Sequence, residues 1–406
     1  MSGKNLKIAV IGGGIGGLAA ALALLRAGFD VDVYEQVPVK REVGAGIVLT
    51  PNATRVLRAL GLGQALERMA VAPTVVRQRR WQDGRTLLLA PVQDVRGPSG
   101  EHLFYTVHRA DTLEMLSEAL PPSVIHPGHK LTALTNSGAQ VDLEFANGKR
   151  ASVDIVIGAD GIHSTVREIL LGRQQPRFTG CVAYRGMVAA DRFPRSDMHV
   201  ENQLWLGPGS HFVHYPVRRG ELINFVCLID REGWTKEGWT EPGDPADLRT
   251  FYANWHEQVR ALVATVSEIF VWGLFDREPL PRWSIGRVTL LGDACHPMLP
   301  FLAQGAAQAI EDGATLAAIL SQSAVDVPAA LARYEKLRLP RTAAIQATAR
   351  GNKDRNHLPD GPEQQQRDAQ MASGAANWSI GASTWVYSHD AVAAAQTGAL
   401  GLPAGA

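Results

Sequence analysis

At 406 residues, 46% of them hydrophobic, the chain has material for one large or two intimately packed domains, which excludes a disordered protein. Forty Lys and Arg balance forty Asp and Glu, so the broad positive field of a nucleic-acid or anionic-membrane binder is excluded and a small-molecule partner is expected. Three scattered cysteines, Cys181, Cys227 and Cys295, offer no metal-ligand spacing, so no metal is expected and a reduced, cytoplasmic setting fits, for a monomer or a homodimer.

Residues 7–11 form a short β-branched run, and 18–27 are rich in helix formers, with Gly28 where a helix C-terminus needs it. The uncharged stretch 8–25 approaches the length of a membrane span. Gly12, Gly13, Gly14, Gly16 and Gly17 break it into a strand and a helix, so neither a span nor a secretory signal is expected. Residues 31–34 alternate apolar and polar and end on Glu35, which completes a βαβ unit. Helical signal follows over 52–69, after a glycine-rich loop at 44–46. Stretches 75–106 and 178–275 are strand-like and are read as one sheet inserted into a nucleotide domain. Between them, 111–120 is helical and 141–157 is a hairpin feeding a buried strand at 154–157. Residues 287–291 make another buried strand, and 305–321 and 328–351 read as alanine-rich helices. Residues 352–368, with His357, Pro359, Asp360, Gly361 and Pro362, read as a polar surface loop, and 391–406 as a small-residue disordered tail. The nucleotide-binding domain then comprises 1–74, 107–177 and 276–350, the substrate domain 75–106 and 178–275, and 351–406 form a C-terminal segment.

Gly12-x-Gly14-x-x-Gly17 follows a strand, opens a helix, and is trailed by Glu35, 23 positions after Gly12. In that context the glycines permit a tight turn and a close approach of backbone to a pyrophosphate, and Glu35 falls where a ribose hydroxyl needs an acceptor. Ile15, Gly16 and Gln36 lie in the same two segments and are counted with the cofactor contacts. An acid at position 35 favours a free ribose, as in FAD or NAD, over a 2′-phosphate.

Two later segments each end a buried strand in a glycine and an aspartate: DIVIGADGIHSTVR from Asp154, carrying Asp160, and RVTLLGDACHPMLP from Arg287, carrying Asp293. In this order behind the fingerprint they resemble the hallmark pair of the group A flavoprotein aromatic hydroxylases, the salicylate, 3-hydroxybenzoate and 6-hydroxynicotinate enzymes among them. The resemblance runs from Lys7 to about Arg350. It implies an α/β fold: a Rossmann-like FAD-binding domain of the GR2 type, with an inserted strand-rich substrate domain and C-terminal helices. It implies tightly bound, non-covalent FAD and transient NADH or NADPH. Asp293 should accept from a ribityl hydroxyl, and Asp160 should serve FAD and reduced nicotinamide largely by ordering its turn. Arg109 and Val48 should lie along the flavin, and the backbone at Leu131 near the adenine. The helix opening at Gly305 and Ala306 should point its positive end at the flavin pyrimidine edge. The absence of a second GxGxxG agrees, because the family binds nicotinamide without a second such fold.

The activity implied is NAD(P)H-driven hydroxylation of a phenolic or hydroxylated aromatic or heteroaromatic acid by O₂ through a flavin C4a-hydroperoxide. A flavin-dependent NAD(P)H oxidase, reductase or dehydrogenase without oxygen insertion stays open as the alternative. In His211-Phe212-Val213-His214-Tyr215-Pro216, strand alternation puts His211, Val213 and Tyr215 on one face and His214 on the other. An imidazole of ordinary pKa near 6.5 suits a phenolic proton, so His211 with Tyr215 is the candidate catalytic pair. Sheet residues packed in a satisfied core remain the plain alternative for both. His296 is read as structural. Tyr105, Arg185 and Pro297 are candidate substrate-side residues, Arg185 as a carboxylate clamp. Val48 stands where 6-hydroxynicotinate hydroxylases carry histidine, and Pro300 where some 3-hydroxybenzoate 6-hydroxylases carry glutamine. The substrate is therefore left at the level of a hydroxylated aromatic acid.

Overall fold

The computed structural model describes residues 6–38, 44–192, 200–234, 241–323, 326–374 and 384–403. The chain opens with β1 (Lys7–Ile11), α1 (Ile15–Arg26) and β2 (Asp30–Glu35), then β3 (Gly46–Leu49), α2 (Pro51–Ala59) and α3 (Gly63–Met69). Next come β4 (Val75–Arg80), β5 (Thr86–Pro91), β6 (Tyr105–His108), α4 (Arg109–Glu118) and β7 (Ile125–Pro127). Three short strands, β8 (Leu131–Asn136), β9 (Val141–Phe145) and β10 (Arg150–Val153), precede β11 (Ile155–Gly158) and α5 (Thr165–Leu171). Then follow β12 (Arg177–Ala189), β13 (Glu201–Gly207), β14 (Ser210–Val217), β15 (Leu222–Asp230), β16 (Glu241–Gly243), α6 (Pro245–Phe251), α7 (Glu257–Ala264) and β17 (Ile269–Asp276). The chain closes with β18 (Val288–Leu290), α8 (Gly305–Ser323), α9 (Val327–Asn356), α10 (Pro362–Ala372), α11 (Thr384–Tyr387) and α12 (Ala391–Thr397).

Five strands form an all-parallel sheet in the order β18-β11-β1-β2-β7. Strands β1, β11 and β18 are near-continuous apolar runs, as burial on both faces demands, and Ile8, Val10, Ile155, Val156 and Val288 are fully buried. The register aligns Ile11 with Gly158 and Gly158 with Leu290. The Gly12 turn, the Asp160 turn and the Asp293 turn thus leave three adjacent strands at one edge, about 4.8 Å from strand to strand.

A second sheet of eight strands, β16-β17-β12-β15-β14-β13-β4-β5, joins both strand-like stretches of the sequence in one layer. One face carries Trp205, Phe212 and Phe225 against Leu248, Tyr252, Trp255 and Leu262 of the α6–α7 segment. Strand alternation turns the residues between them, among them His211, Val213 and Tyr215, to the opposite side. Among the described residues no helix is long and apolar enough to cross a membrane.

Three segments differ from the sequence-based expectation. The helical signal of 52–69 is two helices, because Gly61 takes φ +71° between α2 and α3. The expected polar loop at 352–368 is largely ordered: α9 runs on to Asn356, His357 is buried behind it, and α10 begins at Pro362. The expected tail forms α12, whose Asp390 side chain caps Val392 and Ala393 and whose Ala391 and Ala395 are buried against α8. Periodicity fails there because alanine alone supplies the apolar face.

A fully buried ionic cluster fastens α9 to α8. Arg338 donates to Glu311 at 2.5 Å and to Asp312 at 2.7 Å, and Arg341 donates to Glu311 at 2.9 Å. Burial alone would raise both carboxyls. For Glu311 the charges of Arg338 and Arg341, and for Asp312 those of His296 and Arg338, outweigh it and hold them below the ordinary range. Arg338→Met strands these acids, and a loss of about 3–5 kcal/mol is expected in urea unfolding at pH 7. Since the native carboxyl pKa values are depressed, the cluster's contribution is full above the unfolded values near 4 and fades as pH falls below them. The gap between wild type and variant should therefore shrink below about pH 4.

Candidate active site

The parallel-sheet edge and the inner face of the eight-stranded sheet enclose one cavity of about 900 Å³. At its sheet edge, Gly12 takes φ +112°, and a Cβ on Gly17 would lie 2.0 Å from the Gly12 carbonyl oxygen, so the turn closes only with glycine at both. A Cβ on Gly14 would meet nothing within 4 Å, nor would one on Gly305. Both residues line the cavity at the N-termini of α1 and α8, which leaves two open positive helix ends facing it. Ile15, Gly16 and Ala306 line it beside them.

Glu35 ends β2 against this turn: one carboxylate oxygen accepts from Gly13 N–H at 2.6 Å and the other from Val37 N–H at 2.8 Å. Gln36 is exposed next to it. Leu131 is buried at the start of β8 and does not line the cavity. Asp160 turns its carboxylate to Ser164 Oγ at 2.5 Å and Val166 N–H at 3.1 Å, capping α5, while its neighbours Ala159 and Gly161 face the cavity. Burial raises the Asp160 carboxyl despite these bonds.

Asp293 lines the cavity directly. Burial raises its carboxyl, against the charges of His296 and Arg109. Its turn is held by Asp312, which accepts from Gly292 N–H at 3.0 Å and bonds His296 Nε2 at 2.6 Å. His296 therefore serves that turn and lies outside the cavity lining. Arg109 starts α4, with its N–H donated to Ala45 O at 2.8 Å, and its side chain faces the cavity. Asp111, two residues on, pairs with Arg218 at 2.9 Å. Val48 lies on the same wall.

At the other end, His211, Val213 and Tyr215 of β14 all line the cavity, and His214 points away to accept from Trp205 Nε1 at 3.1 Å. His211 Nδ1 lies 2.7 Å from His357 Nε2, leaving Nε2 for the cavity. Burial, and then His357, push the His211 pKa well below the ordinary value, so the ring is neutral near pH 7. Burial raises the Tyr215 hydroxyl, opposed by the charge of Arg185. Arg185 sits two strands over in the row Val213–Val226–Arg185, stacked 4.5 Å from the Trp272 ring. Burial and Arg109 lower its pKa to about 10, which leaves it charged at neutral pH.

Two expected substrate residues do not line this cavity. Tyr105 is buried in the nucleotide-side core with its hydroxyl accepting from Arg58 at 3.0 Å, and Pro297 offers its carbonyl to Gln346 at 2.9 Å while the chain enters the cavity wall only from Met298. Several lining residues escape sequence reasoning: Asn202, Gln78, Asn224, Gln304 and the C-terminal Trp385–Tyr387 segment. Asn224, a lone amide in the apolar run LINFVCLID, is the one that carries a signal, and its side chain accepts from Gly46 N–H at 2.7 Å.

The arrangement fits a flavin dinucleotide. The open space over Gly14 suits a pyrophosphate, Asp293 offers a cavity-facing acceptor for a hydroxyl, and the α8 N-terminus suits an anionic ring edge. Comparison with known proteins agrees: residues 5–349 match the model of the "FAD binding domain" family. A 3-amino-4-hydroxybenzoate 2-monooxygenase of Streptomyces platensis is 41% identical over 96% of this chain and 98% of its own. A 6-hydroxynicotinate 3-monooxygenase of Pseudomonas fluorescens is 39% identical over 86% of this chain and 91% of its own. Among solved structures, a salicylate hydroxylase in complex with its substrate superposes with a TM-score of 0.83 at 28% identity, over 99% of this chain and 100% of the other.

Two glycine substitutions separate fold from cofactor. Gly14→Ala, at φ −75° with open space above it, should leave apoprotein stability within about 0.5 kcal/mol. It should weaken FAD retention about tenfold or more in a dialysis titration. Gly17→Ala, which collides with backbone, should instead abolish soluble expression. Equal FAD affinity in Gly14→Ala and wild type would contradict the cradle.

Proposed function

The chain belongs to the FAD binding domain family and, within it, to the group A flavoprotein aromatic hydroxylases, and on that premise we propose that its substrate is a phenolic ring bearing a carboxylate, deprotonated by His211. It is a FAD-dependent aromatic monooxygenase that draws electrons from NADH or NADPH. FAD, when bound, supplies the electron transfer and the activation of O₂; the protein supplies binding, orientation and proton handling.

On this reading the N-terminus of α1, with Gly12, Gly14, Ile15, Gly16 and Gly17, holds the pyrophosphate. Glu35, with Gln36 beside it, takes the ribose, and the backbone near Leu131 meets the adenine. Asp293 takes a ribityl hydroxyl, Val48 and Arg109 lie against the flavin, Gly305 and Ala306 present a helix end to its pyrimidine edge, and Asp160 orders the neighbouring turn. His211 Nε2 accepts the phenolic proton, which makes the ring electron-rich, and Tyr215 hydrogen-bonds the same oxygen. Arg185, with Arg109 near enough to depress its pKa, gives the wall a positive charge suited to a carboxylate. Apolar neighbours such as Leu228, Trp272 and Phe301 keep water from the reacting centre.

A single observation carries the reading: a buried, neutral imidazole and a cavity-facing aspartate beneath two open helix ends line one cavity. Hydroxylated benzoates of the 3-amino-4-hydroxybenzoate type are the first candidates, since the relative named for that activity matches over nearly the whole chain. The alternative of an oxidase without oxygen insertion is separated by product.

An aromatic-acid panel scored by NAD(P)H consumption and product mass should find an acid that gains one oxygen. Hydrogen peroxide as the sole product with every acid would favour the oxidase. His211→Phe should keep FAD and cut oxygen transfer about 10²–10⁴-fold, and unchanged hydroxylation with an unchanged pH profile would remove His211 from the role.

A further inference from the structure

A buried base must dispose of the proton it accepts. Held on His211, that proton would leave an imidazolium in a desolvated wall already carrying Arg185 and Arg109. We propose that His357 and Asp230 form, with His211, a proton path from the cavity to solvent, by which the phenolic proton leaves the site. The proposal rests on the reading of His211 as the base.

The geometry is continuous. His211 Nδ1 lies 2.7 Å from His357 Nε2, and His357 Nδ1 lies 2.8 Å from Asp230 Oδ1. The His357 side chain is 3% exposed and that of Asp230 39%, so the chain starts at the cavity, crosses a buried link and ends in water. The carboxylate also sets the direction. Asp230 accepts only, so His357 carries its hydrogen on Nδ1 and offers a lone pair at Nε2. That lone pair requires hydrogen on His211 Nδ1 and leaves the His211 Nε2 lone pair toward the cavity. An anion at the surface thus fixes the tautomer a base needs inside.

The backbone fixes the link independently of these bonds. His357 caps α9, its N–H donating to Lys353 O at 3.1 Å, and its carbonyl accepts from Gly209 N–H at 3.0 Å. Gly209 O in turn accepts from Asp230 N–H at 2.8 Å. The charged and titratable groups facing His357 are His211 from β14, Asp230 from β15, Cys181 from β12 and Lys353 from α9. Burial and Asp230 push the Cys181 thiol up to about 12, so it takes no part. Partial burial would raise the Asp230 carboxyl, but the His357 hydrogen bond, with Lys353 at 3.4 Å, holds it below the usual range and it releases a proton readily at neutral pH.

The step balances without a co-reactant. The phenol O–H bond breaks as His211 Nε2–H forms, His211 Nδ1–H passes to His357 Nε2, and His357 Nδ1–H passes through Asp230 to water. Reverse passage restores both tautomers and returns a proton to the product oxygen.

Two measurements test this on FAD-loaded enzyme. Selective ¹⁵N-histidine NMR without ligand should find His211 and His357 both neutral and Nδ1-protonated at pH 7, and an Nε2-protonated tautomer at either would overturn the path whatever the substrate. Stopped-flow mixing with 3-amino-4-hydroxybenzoate, in weak buffer with a pH indicator, reads phenolate formation and proton release. Asp230→Asn, which keeps a hydrogen-bond acceptor for His357, and His357→Phe should slow release about tenfold or more at unchanged phenol affinity. Imidazole buffer should restore the rate of Asp230→Asn, and Asp230→Glu should behave as wild type. Release within about twofold of wild type in both variants would overturn the path alone. A wild-type enzyme that binds the phenol but leaves it protonated would instead sink the reading of His211 as base.

Discussion

Two carboxylates side by side in α8, Glu311 and Asp312, are fully buried, and much of the molecule is arranged to satisfy them. Glu311 accepts from Asn52, Gln308, Arg338 and Arg341, and Asp312 from Arg338, His296 and Gly292 N–H. Such a cluster adds little stability over apolar packing, but it is directional and unforgiving when incomplete. Completing it fixes α9, the start of α2 and the turn before Asp293 relative to one helix. Gln304, just ahead of the α8 N-terminus, is tied to the same set through Thr50 at 2.9 Å and Asn52 at 3.1 Å. Through that set, the open end of α8 and the aspartate beside it keep a fixed relation.

The parallel sheet supplies the other half of the cofactor side by register alone. Because Ile11, Gly158 and Leu290 stand in line, the three turns after them share one edge without any contact being designed between their side chains. This much was legible in the sequence, where each motif is a buried strand broken by glycine, with Asp160 and Asp293 close behind the glycine in two of them and Glu35 at the end of the next strand in the first. The face of β14 was legible too, since period two is unambiguous once the strand is recognised. What sequence could not supply were long-range partners. His357 follows a long helix and sits among Pro359, Asp360 and Gly361, all signs of an exposed loop, and only packing against β14 and β15 buries it. Tyr105, a substrate-side candidate in the sequence, instead packs in the nucleotide-side core, where its hydroxyl accepts from Arg58. The docked α12 was hidden because an alanine face shows no contrast against an alanine-rich background.

Helix α9 connects these two halves. Thirty residues at about 1.5 Å each span about 45 Å, enough to pass the whole cavity. Arg338 and Arg341 in its middle engage α8, and Arg341 also donates to Trp385 O, Val386 O and Gly401 O, drawing in the C-terminal segment whose Trp385 and Tyr387 line the cavity. Farther along, Gln346 holds Pro297 O, Arg350 holds Asp276 at the end of β17, and Asn352 holds Phe301 O. At its end Lys353 and His357 meet Asp230.

One consequence is geometric. Contacts at 338, 341, 346, 350, 352, 353 and 357 recur at intervals of one to five and fall on one half of the helix surface, a broad stripe whose partners belong to the cavity wall or its supports. Slipping α9 by a single residue would rotate this stripe by about 100° and break the cofactor-side ion pairs and the His357–His211 contact together. The imidazole at one end of the cavity and the Asp293 turn at the other are therefore both tied to one helix. A buried ionic cluster, costly to misalign, is the right means of holding such a helix in register: apolar packing alone tolerates sliding, whereas two guanidiniums that must meet two carboxylates do not.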